Sequence, residues 1–189
     1  MMRWIPVALA LIVSGCSSTI ETHYYQLPSA SNAAAATSNS ADTLRPAVWV
    51  EHVSVPDYLA GNGVVYQSSD VQYVIAANNL WASPLDQQLQ QTLVANLSEA
   101  LPGWLVSSMP LGEQQDKLNV NVTHFHGRYD GQVVIGGDWV LEHDGKITKR
   151  PFSLTLPQSE DGYGALVRTL AKGWQQEAGA MAQVIRTIN

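Results

Sequence analysis

Few residues in this chain of 189 have side chains whose types and spacing could do chemistry. The first is its one cysteine, Cys16, in the run LIVSGCSS at 11–18. A lone thiol closes no disulfide within the chain, and exported proteins tend to use cysteines in pairs. Cys16 is therefore either a buried spare or a residue with a task of its own. His124 and His126, in H-F-H, share one face of a strand, which is the spacing of a metal pair. No further ligand cluster stands near them in sequence, so two half-exposed histidines are expected and no metal site. Glu51 and His52 point to opposite faces of a strand and make no acid–base pair. Glu160-Asp161 precede a helix start, where acids offset the dipole. There is no G-x-S-x-G elbow and no glycine loop of the phosphate-cradling kind. The chain is expected to have no catalytic residues.

The task of Cys16 follows from what precedes it. Arg3 gives a short positive region, and residues 4–13, WIPVALALIV, are apolar. A membrane-spanning helix needs about 20 apolar residues, so this run is too short to remain as an anchor and reads as a signal peptide, residues 1–15. Val13, Ser14 and Gly15 are small residues or nearly so, as a cleavage site requires, and Cys16 comes next. The segment resembles the lipobox of bacterial lipoproteins. There the sulfur receives a diacylglyceryl group, the chain is cut before the cysteine, and the new amine is acylated. Cys16 is thus the expected lipid attachment point, carrying N-acyl and S-diacylglycerol chains and needing no separate cofactor. One acyl chain gives only marginal membrane affinity; three would hold permanently. Ser17 stands where Asp favours inner-membrane retention in enteric bacteria, so the outer membrane, with the domain facing the periplasm, is the expected location.

Composition narrows the partners. The formal net charge is −6, and Arg3 leaves with the leader. With no basic run, the chain lacks the electrostatic footprint of a nucleic-acid binder. Residues 16–189 suit one domain with a proper core. Without a disulfide, packing alone must hold it.

The elements that would position any site can be read in order. Residues 17–23 form a polar spacer; its seven residues reach roughly 25 Å when extended. The folded body is expected over 24–189, beginning with strand-like YYQL at 24–27. An insertion at about 28–45, rich in Ala, Ser and Asn, should be mobile. Strands are predicted over 47–55, 61–69 and 71–77. A helix follows, with Ser83 as its cap, Pro84 at its first position and Asp86 in its first turn. Leu85, Leu89, Leu93, Leu97 and Leu101 recur every four residues. Asp130-Gly131 and Asp144-Gly145 lie between β-like runs and predict hairpins in a three-strand meander over about 117–156. A last helix over about 160–187 carries Leu166, Leu170, Trp174, Ala178, Met181 and Ile185 on one face; Gly173 and Gly179 weaken it unless they allow close packing. Strands, helix, strands, helix predicts an α+β two-layer sandwich, a mostly antiparallel sheet with two main helices on one face.

Trp49, Trp81, Trp104, Trp139 and Trp174 remain after the leader is removed, and Trp174 is expected in the core. Trp81, in the NNLWASP loop before the first long helix, is either a hydrophobic staple or an interface anchor, since aromatics dominate binding hot spots. Tyr58 and Leu59, in PDYLAGNG, share the ambiguity. Tyr58, Leu59 and Trp81 are therefore the candidate partner-binding residues.

Several segments are familiar together: the lipobox, YYQLP at 24–28, VPDYLAGNGVVYQSSDVQYVIAANNLWASPLDQQL at 55–89, LPGW at 101–104 and GRYDG at 127–131. Over nearly its whole length the chain resembles the ABC-type transport auxiliary lipoproteins. The resemblance implies an outer-membrane lipoprotein working with an inner-membrane protein and a periplasm-spanning MCE-domain protein in lipid traffic between membranes. It implies a docking component, neither ATPase nor pump, and a homo-oligomeric collar receiving the MCE tube. It carries over no catalytic residue. A periplasmic lipid carrier with its own cavity, an envelope hydrolase and a structural, cell-wall-binding lipoprotein are the rival expectations.

Overall fold

The protein is described by a computed structural model covering residues 21–29 and 45–188. Val13 to Cys16 and most of the expected insertion lie outside the described residues. In chain order the elements are β1 (His23–Tyr25), β2 (Ala47–Ser54), α1 (Asp57–Ala60), β3 (Gly63–Gln67), β4 (Tyr73–Trp81) and α2 (Leu85–Ala100). Then come β5 (Leu105–Ser107), β6 (Asp116–Arg128), β7 (Gln132–His143), β8 (Lys146–Pro157) and α3 (Tyr163–Ile188).

The meander is where the turn chemistry placed it. β6, β7 and β8 are antiparallel neighbours, and β8 is an edge strand. Asp144 (φ 46°) and Gly145 (φ 72°) both take positive φ, the two-residue turn whose twist matches a hairpin. The other side of β6 is less regular. β2 runs parallel to it along Asp116–Asn121, and β3 runs parallel to it at Gly127–Arg128. The one-turn helix α1 bridges the two, so β2, α1 and β3 act as one interrupted strand. β4 is antiparallel to β3, while β1 and β5 add parallel edges to β4 and β2. The α+β class is as expected and the longest ladders are antiparallel, but the sheet is mixed and open.

Both long helices lie on one face. Leu85, Leu89, Leu93, Leu97 and Leu101 are buried, as are Leu166, Leu170, Trp174, Ala178, Met181 and Ile185. The Trp174 indole N–H donates to the Leu89 carbonyl of α2 at 3.1 Å, and its ring stands edge-on to Phe125 at 6.3 Å. Gly173 is the close approach: a Cβ there would meet Ile135 and Leu156 of the sheet. Gly179 faces open space and has no such reason to be glycine. On β6 a bulge between Val122 and His124 shifts the register against β7. Leu118, Val120 and Val122 point inward before it, Phe125 after it, so His124 and His126 fall on the helix-free face.

The start of α2 departs from the predicted cap. Pro84 is the N-cap and makes no side-chain bond. Gln88, buried one turn in, does the work instead. Its amide Nε2 donates to the Ser83 carbonyl and its Oε1 accepts the Leu27 backbone N–H, both at 2.8 Å. One side chain thereby ties the N-terminal strand to the helix. Gln88→Met keeps the bulk and strands both backbone groups; it is expected to cost about 2 kcal/mol, read as a lower urea midpoint with an unchanged m-value.

Candidate docking surface

The three candidate anchors fare differently. Leu59 is 1% exposed and Trp81 4% exposed, both in the main hydrophobic cluster. They are core side chains and present nothing to a partner. α1 turns Leu59 inward, and Trp81 ends β4 rather than sitting in a loop; there its ring lies 6.5 Å from Phe125. Tyr58 is half-buried. Its hydroxyl donates to the Thr123 carbonyl at 2.7 Å, at the bulge where neither β2 nor β3 reaches β6. Burial, then the neighbouring Tyr73, push the Tyr58 hydroxyl up to about 12. Tyr58 thus closes a gap in the sheet.

The histidine pair comes together on the helix-free face. The rings of His124 and His126 lie 5.9 Å apart, but no group of three or more metal-ligating side chains occurs among the described residues. His126 is 1% exposed, not half-exposed as expected, because Tyr73 covers it edge-on at 5.1 Å. Its Nδ1–H donates to the Gly127 carbonyl at 2.9 Å, leaving Nε2 buried without a hydrogen-bond partner. Burial, with smaller contributions from His124 and Arg128, holds this imidazole below the ordinary histidine range and keeps it neutral. On the opposite face of the sheet, Glu177 of α3 is buried beside Trp139, whose indole N–H it accepts. Burial pushes its carboxyl up to about 7.

What the surface does offer is arranged by strand direction. Tyr73, Gln67 and Arg128 are register partners in turn, Gly127 stands opposite Val133, and Gln132 opposite Pro157, so all lie at one end of the sheet. That end carries the β3–β4 hairpin, the 129–131 turn and the start of α3. The other end holds the 144–145 hairpin and the starts of β2, β5 and β6. There Leu105, Met109, Leu111 and Ile147 are exposed, beside an open depression of about 370 Å³ bordered by Glu113, Asp116, Glu142 and His143. His143 Nδ1 and the Asp116 carboxylate pair at 2.7 Å and fix this end of the meander. Sequence periodicity does not mark Met109 or Leu111, because they sit on an irregular loop. Among the described residues no helix is long and apolar enough to cross a membrane.

An open mixed sheet backed by two helices thus carries exposed apolar groups at its ends. The ABC-type transport auxiliary lipoprotein component model matches residues 25–182, and the chain belongs to that family of transport accessory proteins. It is 56% identical over 189 residues, all of both chains, to the intermembrane transport lipoprotein PqiC of Escherichia coli (strain K12). The same identity and coverage relate it to PqiC of Shigella flexneri. A solved structure described as an uncharacterized protein is 60% identical, with a TM-score of 0.78, covering 87% of this chain and 99% of its own. Protein XCC0632 from Xanthomonas campestris shares the fold at 16% identity, with a TM-score of 0.61 over 72% of this chain and 81% of its own.

Proposed function

We propose that this chain is an outer-membrane-anchored, periplasm-facing lipoprotein that docks an MCE-domain partner in intermembrane lipid transport. The carrying observation is the full-length identity of 56% to intermembrane transport lipoproteins, leader included. Cys16 supplies the anchor through its thioether and acylated amine. The partner meets the end of the sheet bearing Leu105, Met109, Leu111 and Ile147, and copies of the chain form a collar around it. Exposed apolar groups ringed by acids suit a partner with an apolar face and basic rim. Carriage of lipid by the domain itself is disfavoured by volume. The space between sheet and helices is filled by Phe125, Phe152 and Trp174, and the open depressions of about 310 and 370 Å³ fall at the small end of the range for drug-sized ligands.

The test is affinity capture from envelope membranes with the tagged full chain. An MCE-domain protein is expected to co-purify, and Met109→Asp with Leu111→Asp to reduce its recovery about tenfold or more. Both substitutions are on exposed loop positions, so stability should stay within about 0.5 kcal/mol of the parent. Undiminished recovery would remove the partner from this end; recovery of lipid without protein would favour the carrier.

A further inference from the structure

We propose that the tip of the β3–β4 hairpin and the adjoining free edge of β4, residues 71–75, lie against the bilayer that holds the N-terminal lipid. This inference rests on lipid attachment at Cys16, proposed above. The argument is one of strand direction and length. β1 is parallel to β4, His23 standing opposite Asn79, so the chain upstream of β1 approaches from the side of the β4 N-terminus. Six residues, 17–22, separate Cys16 from β1, spanning at most about 20 Å. β4 bulges between Ile75 and Leu80, opposite Gly63–Val65, so the distance is counted on the β3 side: from Val64, level with the bulge, to Asp70 in the turn is also six residues. A fully extended tether therefore brings Cys16 only level with the hairpin tip. A bilayer on that side therefore stands no farther out than the tip, within reach of the hairpin and the β4 edge.

The surface found there fits an interface. Val71, at the tip, is 79% exposed, and Tyr73, Val74 and Ile75 follow it on a stretch of β4 that β1 does not cover. Tyr129 adds an exposed ring at the same end, an amphipathic side chain of the kind that favours the headgroup level. Arg128, the nearest cation, is occupied by Asp130 at 2.7 Å, so the contact is apolar, not a recognition of anionic headgroups. Such a patch is too small to hold a protein by itself. Tethering makes its contact with the bilayer intramolecular, and a short tether supplies the effective concentration. The far end is out of reach: the thirteen residues of β6 run about 40 Å, twice the tether.

The experiment uses the full lipidated chain, purified from membranes and reconstituted into phosphatidylethanolamine–phosphatidylglycerol vesicles. Val71→Cys and Met109→Cys are each labelled with a nitroxide; thioether formation at Cys16 leaves the introduced thiol alone to react. The Val71 label is expected to show an oxygen-to-nickel-chelate accessibility ratio several-fold above the Met109 label. Equal, water-like ratios at both positions would overturn the proposal. Dipolar broadening between Val71 labels without oxygen access would overturn it too, in favour of a second copy on this edge. If the unsubstituted chain takes up thiol reagent, Cys16 is free and the anchor falls, taking this inference with it. A blocked Cys16 with an aqueous Val71 removes the hairpin contact alone.

Discussion

Trp81→Ala is expected to lower stability by about 3–5 kcal/mol, the cost of emptying a large aromatic site in a packed core. The indole is buried against Phe125 in the cluster that also holds Trp174. Its backbone is pinned on both sides: Tyr25 of β1 is its register partner, and its N–H donates to the Asn62 carbonyl at 2.6 Å. Such a loss takes a large share of a domain's usual stability of roughly 5–15 kcal/mol. It should appear as a melting temperature lowered by about 10 °C or more. Partner capture by the fraction that remains folded should be unimpaired. A Trp81→Ala chain that melts like the parent but no longer captures its partner would return this residue to the surface.

Glu177→Gln should act in the opposite direction and only over part of the pH range. The folded carboxyl titrates at about 7 against an ordinary 4.5, because burial disfavours its charge more than the Trp139 indole N–H favours it. The folded state therefore holds a proton that the unfolded chain releases. Stability from this group is complete below pH ~4.5, falls as pH rises toward 7, and is level above it. Glutamine keeps an acceptor for Trp139 and carries no charge. A tenfold change in proton affinity is worth about 1.4 kcal/mol. With solvent screening taking back a part, the gain above pH 7 should be about 2 kcal/mol. Thermal melts at pH 4 and pH 8 check this: near coincidence with the parent at the lower pH, and a rise of about 4–8 °C at the higher. A gain of equal size at both pH values would place its origin in packing, not in the proton.

Where sequence and structure agree, the signal is local. The four-residue leucine step over 85–101 and the Asp144-Gly145 turn each carry their geometry within a few residues, and both elements are where they were expected. The parallel pairing of β2, β3 and β5 was not legible, because partner choice between distant strands leaves no periodic mark. α1 was missed because four residues after a proline show no helical repeat. The bulge near Thr123 was hidden too; without it the alternation of Leu118, Val120 and Val122 would carry on unbroken. Of the surface candidates, Tyr58-Leu59 and Trp81 were ambiguous for a shared reason: an aromatic beside glycine or proline reads alike whether it faces a partner or the core. Gln88 gave no signal at all, since its two bonds reach Leu27 and Ser83 only after folding.

The unpaired margin of β8 bears on life at high surface density. It presents Lys146, Lys149 and Arg150, and Pro151 in its middle has no N–H to offer. Cationic side chains and proline are what natural sheets use to refuse a stranger's strand. Molecules confined to a plane meet their neighbours far more often than in solution. On the membrane proposed for this chain, such a margin would discourage side-by-side polymerisation through β8.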